Sequence, residues 1–242
     1  LTKNDAHQSA AKKRITELVG TDEDPDSFVK KLDERYKVYR KWAFKHMREA
    51  PEPELWTRWL TPDFPADRIA PLGAELTYQY RQSMGLRVVV ENGKLVVETL
   101  QQRGYTLGII SNLITTREIP EWMEKEGFSS YFKSVALSSV LGIRKPDPEI
   151  YHIAAREAEV DPARCVYVGD NLKRDVTGTR AAGFGMTIIM ISPEDLSESV
   201  ITEENRPDAV IHSFTELLDI FPQRPRVNMD YIHQPPLLGS LV

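Results

Sequence analysis

The chain has 242 residues, of which 41% are hydrophobic and 28% are charged, and its net charge is −5. This balance is typical of a globular protein with one main core and a smaller module, and the dispersed basic residues argue against a nucleic-acid or membrane-surface binder. The single cysteine excludes an internal disulfide, and no apolar run reaches the roughly 20 residues of a membrane-spanning helix. Because the start also lacks the apolar region of a secretory signal, we expect a cytoplasmic protein.

The first part of the chain has a helical pattern. After a short leading segment, residues 1–9, residues 10–87 carry apolar positions at helical spacing without strand-like alternation. An aromatic group follows within this part at Trp42, Phe44, Trp56 and Trp59. We therefore predict a separate helical domain, whose tryptophans either line a substrate pocket or form the domain's own core.

The pattern changes in residues 88–221, where helical stretches alternate with short apolar runs that end in small or polar residues. The runs are YTLGIISN, SVALSS, RCVYVGD, GMTIIMIS and DAVIHS. Strands that alternate with helices in this way predict an α/β core built on a parallel, Rossmann-like sheet. Residues 222–242 are proline-rich and aperiodic, which predicts a tail that could dock on a neighbouring copy and so form a homodimer.

Polar residues follow three of the predicted strands. Ser111 and Asn112 follow the first, Lys145 lies in the loop after the second, and Asp170 follows the third, with Asp175 five residues later. Ligands of open parallel sheets bind beyond the carboxyl ends of the strands. We therefore expect a hydroxyl, an amide, a cation and a carboxylate to face one crevice.

Each of these residues also has a purely structural interpretation. Ser111 or Asn112 could cap the next helix. Lys145 could be a solvated loop lysine, and the two aspartates could be acids that favour a helix N-terminus. The order in which the five residues occur is what favours a shared site.

That order resembles motifs two, three and four of the haloacid dehalogenase-like (HAD) hydrolase superfamily. The resemblance rests on a strand that ends in Ser-Asn, on the lysine of RKPDPEIY, and on a strand followed by GDNLKRD. It covers roughly residues 95 to 221. It implies that residues 10–87 are a cap domain inserted over the active site of the α/β core.

The resemblance also implies a chemistry. In this superfamily a carboxylate attacks phosphorus, and water then hydrolyses the aspartyl-phosphate. Asp170 and Asp175 match the ligands of a magnesium ion, the second commonly acting through a bound water. Ser111 and the backbone of Asn112 would bind the phosphoryl oxygens, and Lys145 would neutralise the charge shared by nucleophile and phosphate.

This chemistry implies a magnesium-dependent phosphatase of small phosphorylated metabolites. A 2-haloacid dehalogenase is an alternative, but the fourth motif of those enzymes typically lacks the metal-binding acid that GDNLKRD keeps.

The first motif of the superfamily, a strand followed by Asp-x-Asp-x-Thr that supplies the nucleophile, is not found in the sequence. Asp5 has no strand before it, and the acids of TDEDPDSF form an acidic turn before a helix. Either the nucleophile lies upstream of Leu1, or the protein is a noncatalytic binding protein of the same fold. The first explanation is favoured because the strand is central in the superfamily's sheet, where unpaired buried backbone groups each cost about 1 to 3 kcal/mol.

Overall fold

The computed structural model describes residues 2–223, in which helices alone are followed by alternating strands and helices. The α-helices are α1 (Asp5–Val19), α2 (Pro25–His46), α3 (Glu52–Glu54), α4 (Ala66–Ile69), α5 (Gly73–Ser83), α6 (Gly93–Gln102), α7 (Glu118–Glu126), α8 (Ser138–Leu141), α9 (Pro148–Ala158), α10 (Leu172–Ala181), α11 (Pro193–Ser197) and α12 (Leu217–Ile220). The strands are β1 (Leu107–Ser111), β2 (Phe132–Leu137), β3 (Val166–Gly169), β4 (Met186–Met190) and β5 (Ala209–Ile211). All but the first two residues of the predicted tail, 222–242, lie outside the described residues.

The ends of the first helices are set by local sequence signals. The Asn4 side chain accepts a hydrogen bond from the His7 N–H and caps α1, and Gly20 ends this helix with a positive φ of 68°. The acidic turn caps α2, because the Asp24 carboxylate accepts from the Ser27 N–H and Pro25 takes the first helical position. The acidic turn therefore serves as a helix start.

The aromatic residues of the helical part form a core of their own. Trp56, Tyr39, Tyr80 and Phe28 are fully buried, and the indole N–H of Trp56 donates to the Thr77 hydroxyl at 2.8 Å. Trp42 and Trp59 pack against this cluster with ring centroids 5.4 Å apart. Full burial of such a side chain contributes about 1.5 to 3 kcal/mol, so the tryptophans stabilise the helical part, whereas Phe44 is 49% exposed and lies outside this core.

The predicted parallel α/β organisation is confirmed, with the strands in two groups. β1 pairs in parallel with β2, and β3, β4 and β5 form a second parallel group in that order. Each of the five apolar runs overlaps one strand, and β2 begins two residues before its run. Among the described residues, β1 pairs only with β2 and β3 only with β4, so each has one free edge.

A groove of about 720 Å³ lies between the free edges of β1 and β3. Its walls include Leu107 and Ile109 of β1 and Val166 and Val168 of β3, and apolar residues of α6 and α9 also line it. Two strand edges of parallel direction on either side of an apolar groove are the geometry that accepts one more strand.

Buried ion pairs join the helical part to the α/β part. The Glu49 carboxylate accepts from the Ser138 hydroxyl at 2.8 Å, lies 3.3 Å from the Arg144 guanidinium, and accepts from the Tyr39 hydroxyl. Burial raises the pKa of Glu49, although Arg144 and the two hydroxyls oppose this shift. Since both ions are nearly inaccessible, this contact fixes the position of the helical part relative to the loop that carries Lys145.

No helix among residues 2–223 combines the length and the apolar character that a membrane crossing requires.

Candidate functional site

A pocket of about 340 Å³ lies at the carboxyl ends of the strands. Four of the five predicted residues line it, namely Ser111, Asn112, Lys145 and Asp170. Its remaining lining residues are Ile110, Tyr167, Val168, Gly169, Arg174, Met190 and Phe214. The strand-end rule therefore brings residues of three segments to one cavity.

The pocket and the groove are continuous. Ile110 at the end of β1, Tyr167 and Val168 of β3, and Phe214 line both cavities. A strand that filled the groove in parallel with β1 and β3 would therefore deliver its carboxyl end to the pocket.

The side chain of Asn112 binds the backbone of Lys145. Its amide donates to the Lys145 carbonyl at 3.0 Å, and its oxygen accepts from the Lys145 N–H at 2.8 Å. The resemblance implied that the backbone of Asn112 binds a phosphoryl oxygen, and this stays a prediction. The structure adds a positioning role, because these two bonds tie the lysine loop to the end of β1.

Lys145 is buried, with 5% of the residue exposed, so the interpretation as a solvated loop lysine is wrong. Its ammonium lies 3.1 Å from Asp175 Oδ1, donates to the Tyr167 hydroxyl, and sits 5.0 Å from the centroid of the Tyr167 ring. Burial lowers the pKa of Lys145, while the neighbouring Asp175 carboxylate opposes the shift. The cation is thus held rigidly at the pocket wall.

Asp175 lies beneath the pocket floor and is fully buried. One of its oxygens accepts the backbone N–H groups of Asp170 and Asn171 at 3.2 and 3.1 Å, and the other faces Lys145 and Arg174. Burial alone would raise the pKa of Asp175, but the hydrogen bond from Arg174 and the charge of Lys145 outweigh it, so the pKa is lowered. Asp175 therefore organises the loop between β3 and α10.

Gly169 is required by this packing. A Cβ at this position would come within 2.6 Å of Asp175 Oδ2 and 2.7 Å of the Tyr167 ring. Those distances are far shorter than van der Waals contact, so any side chain at Gly169 would displace the buried acid or the tyrosine.

Asp170 is the accessible acid of the pair, with 80% of its side chain exposed. Its carboxylate accepts from the Arg174 guanidinium at 2.8 Å. The same guanidinium donates to Asp175 Oδ1 at 2.9 Å and to Oδ2 at 3.0 Å. Arg174 thus bridges both acids.

Arg174 was not predicted from the sequence as a site residue. A local signal for it exists, because an acid just before a helix and an arginine four residues later, in the first turn, can come close enough to form an ion pair. Asp170 and Arg174 have this spacing at the start of α10.

The donor set fits magnesium in part. Hard divalent cations prefer carboxylate oxygens, and Asp170 offers an accessible one at the pocket mouth, with Asp175 directly behind it. Among residues 2–223, no three acids, histidines or cysteines are grouped so as to hold a metal. Mg²⁺ is commonly held by one or two carboxylates together with water and phosphate oxygens, so Asp170 and Asp175 can form part of such a site.

Comparison with known proteins supports the resemblance. Residues 76–189 match the family described as haloacid dehalogenase-like hydrolase. The chain is 33% identical to the bovine haloacid dehalogenase-like hydrolase domain-containing protein 3 over 56% of this chain and 52% of that protein. It is 30% identical to the ribulose-1,5-bisphosphate 5-phosphatase of Halopiger xanaduensis over 64% of each chain.

A solved structure shows the same fold. A HAD hydrolase of Bacillus subtilis bound to magnesium superposes with a TM-score of 0.59 and 19% identity, over 89% of this chain and 91% of that one. The chain spans about half the length of the first curated relatives that it matches.

Proposed function

We propose that this chain belongs to the haloacid dehalogenase-like hydrolases and is the phosphate-binding and magnesium-binding part of a phosphatase for small phosphorylated metabolites. The observation that carries the proposal is the convergence of Ser111, Lys145 and Asp170 on one pocket, with Asp175 buried behind it. A hydroxyl, a buried cation and two acids form the site that a phosphate monoester and a divalent cation require. Relatives named as phosphatases support the same class of substrate.

The residues of the pocket would divide the work as follows. Lys145 would neutralise charge on the phosphoryl oxygens, and its place is kept by Asn112 and Asp175. Ser111, at the last position of β1, would donate a hydrogen bond to a phosphoryl oxygen. Asp170, with Asp175 behind it, would hold the magnesium ion, which supplies positive charge to offset the repulsion between an anionic nucleophile and an anionic substrate.

The nucleophile is expected on a strand that occupies the groove between β1 and β3. Such a strand would pair with both free edges and end at the pocket, opposite Lys145. Its carboxylate would attack phosphorus while the ester oxygen leaves as an alcohol, and water would then hydrolyse the aspartyl-phosphate. Thr2 forms an antiparallel bridge with Leu86, so the beginning of the chain lies next to the start of the α/β part, from which a preceding segment could enter the groove.

The remaining expectations belong to the same proposal. Residues 10–87 would be the cap that selects the substrate, and the protein would act in the cytoplasm without a nucleic-acid or membrane partner. A homodimer formed through residues 222–242 remains part of the hypothesis as well.

The test is phosphate release from p-nitrophenyl phosphate by the product of the complete open reading frame, with and without magnesium. We expect activity that depends on magnesium and is lost in Asp170→Ala. The control is Asp195→Ala, which removes an exposed aspartate at the start of α11 outside the pocket and should leave activity unchanged. Full activity of Asp170→Ala would refute the metal assignment.

Two other outcomes identify the alternatives. Binding of inorganic phosphate without any turnover would indicate a noncatalytic binding protein. Release of halide from a 2-haloacid, without phosphate release, would indicate a dehalogenase.

A further inference from the structure

Arg174 is the feature of the pocket that the proposed function does not use. Its guanidinium makes three hydrogen bonds of 2.8 to 3.0 Å to Asp170 and Asp175, the two acids assigned to the metal. A planar guanidinium is well suited to such a bridge, since its donors form a rigid fork. The guanidinium of Arg174 thus occupies the carboxylate oxygens that a metal would bind.

We propose that Arg174 is an internal competitor of the divalent cation, so that the metal must displace its guanidinium from the two acids in order to bind. The inference rests on the proposed function, because it takes Asp170 and Asp175 as the metal-binding acids. It adds a residue that sets the metal affinity of the site.

The two contacts of Arg174 differ in strength. The contact with Asp170 is exposed to solvent, and exposed ion pairs are weak. The contact with Asp175 is made in a buried place, where charge-assisted hydrogen bonds are much stronger. Asp170 can therefore turn to a metal at little cost, while release of Asp175 is the difficult step.

Deprotonation offers no way to relieve this competition. An arginine side chain stays charged at every pH that a protein tolerates. The guanidinium must therefore move away as an intact cation, and the metal affinity is reduced by the free energy of that movement.

The remaining contacts of Asp175 suggest that the site survives without Arg174. Asp175 keeps the Lys145 ammonium and two backbone N–H groups. Arg174→Gln should therefore fold, and circular dichroism with a thermal melt will verify this. Arg174→Lys is a second variant that keeps the charge but cannot reach both acids with a fork of donors.

The experiment measures Mn²⁺ binding by the electron paramagnetic resonance signal of the free ion, without substrate, at neutral pH and constant ionic strength. The protein is the product of the complete open reading frame. We expect Arg174→Gln to bind Mn²⁺ at least about tenfold more tightly than wild type, because it removes several charge-assisted hydrogen bonds from the competing state. The Mn²⁺ affinity of Arg174→Lys should lie between those of wild type and Arg174→Gln.

Lys173→Gln is the matched control, since it removes one positive charge from the adjacent, exposed position of α10. Its effect on the Mn²⁺ affinity should stay below about twofold, as expected for a screened surface charge. A tenfold gain in both variants would indicate a general charge effect and overturn the specific role of Arg174.

The other outcomes separate this inference from the proposed function. If wild type and Arg174→Gln bind Mn²⁺ equally well, or if the variant binds it more weakly, Arg174 is not a competitor, while the metal site stands. If neither protein binds Mn²⁺, both the competitor role and the metal assignment are wrong.

Discussion

Asn112 offers a sharp test of how the site is built, because its side chain joins the end of β1 to the backbone of Lys145. The two bonds, at 2.8 and 3.0 Å, satisfy both the N–H and the carbonyl of Lys145. Lys145 is almost inaccessible to solvent, so water cannot readily replace a lost partner. Asn112→Ala removes both bonds at once.

The expected loss follows from these two contacts. An ordinary intramolecular hydrogen bond contributes about 1 kcal/mol, and a buried group left unpaired costs about 1 to 3 kcal/mol. Asn112→Ala should therefore lower the free energy of unfolding by about 2 to 4 kcal/mol. Because the ammonium of Lys145 depends on the placement of its backbone, phosphate binding should weaken as well.

The assay is urea unfolding followed by far-ultraviolet circular dichroism. Asn205→Ala is a matched control, because the Asn205 side chain also accepts a backbone N–H, from Thr202, and donates to a backbone carbonyl, of Val200, but in an exposed loop. We expect the control substitution to lower the free energy of unfolding by less than about 1 kcal/mol, since water can replace the lost hydrogen-bond partners in that loop. Equal losses in the two variants would refute the claim that Asn112 anchors the lysine loop.

Three further predictions concern the packing and the charges around the site. Gly178→Ala should destabilise the protein although alanine favours helices, because the new Cβ would lie 2.6 Å from the Tyr151 ring, and a thermal melt at or above that of wild type would contradict this. The pKa of Asp175 is lowered from its ordinary value of 3.8. The ionised carboxylate therefore stabilises the fold above that pH, and this stabilisation is lost as the pH falls through the folded-state pKa. Unfolding measured at decreasing pH should show this loss in wild type and not in Asp175→Asn. Arg144→Met should lower the free energy of unfolding by about 3 to 5 kcal/mol, because it leaves the buried Glu49 carboxylate without its cation. Adding Glu49→Leu to the same chain should recover at least half of that loss in urea unfolding. Additive losses from the two substitutions would contradict the pairing.

The strands and the place of the pocket could be predicted from local sequence. Each of the five apolar runs ends in polar or small residues, and each overlaps a strand in the structure. The strand-end rule then placed Ser111, Lys145 and Asp170 at one cavity, because parallel strands end at one edge of a sheet. These features follow from patterns of about ten residues.

The contacts that give the residues their roles could not be predicted in the same way. These contacts join positions that are distant in sequence. Lys145 contacts Tyr167 across 22 residues, Asn112 binds Lys145 across 33, and Arg144 pairs with Glu49 across 95. Such pairings depend on how the elements pack and leave no periodic signal. Arg174 is the exception, since its partner Asp170 lies only four residues earlier, just before the start of α10.

The charges of the pocket give a reason for both a metal and a competing arginine. Lys145 and Arg174 balance Asp170 and Asp175, so the net charge of these four residues is zero. A nucleophilic carboxylate and a phosphate dianion would add about three negative charges to this cluster, a repulsion that a low-dielectric site cannot hold uncompensated. A divalent cation would reduce this excess to about one, and a guanidinium displaced towards the pocket would keep its charge, already counted here, beside the phosphate. Arg174 therefore balances the acids before the substrate arrives, but its single charge is too small to replace the metal once the substrate is bound.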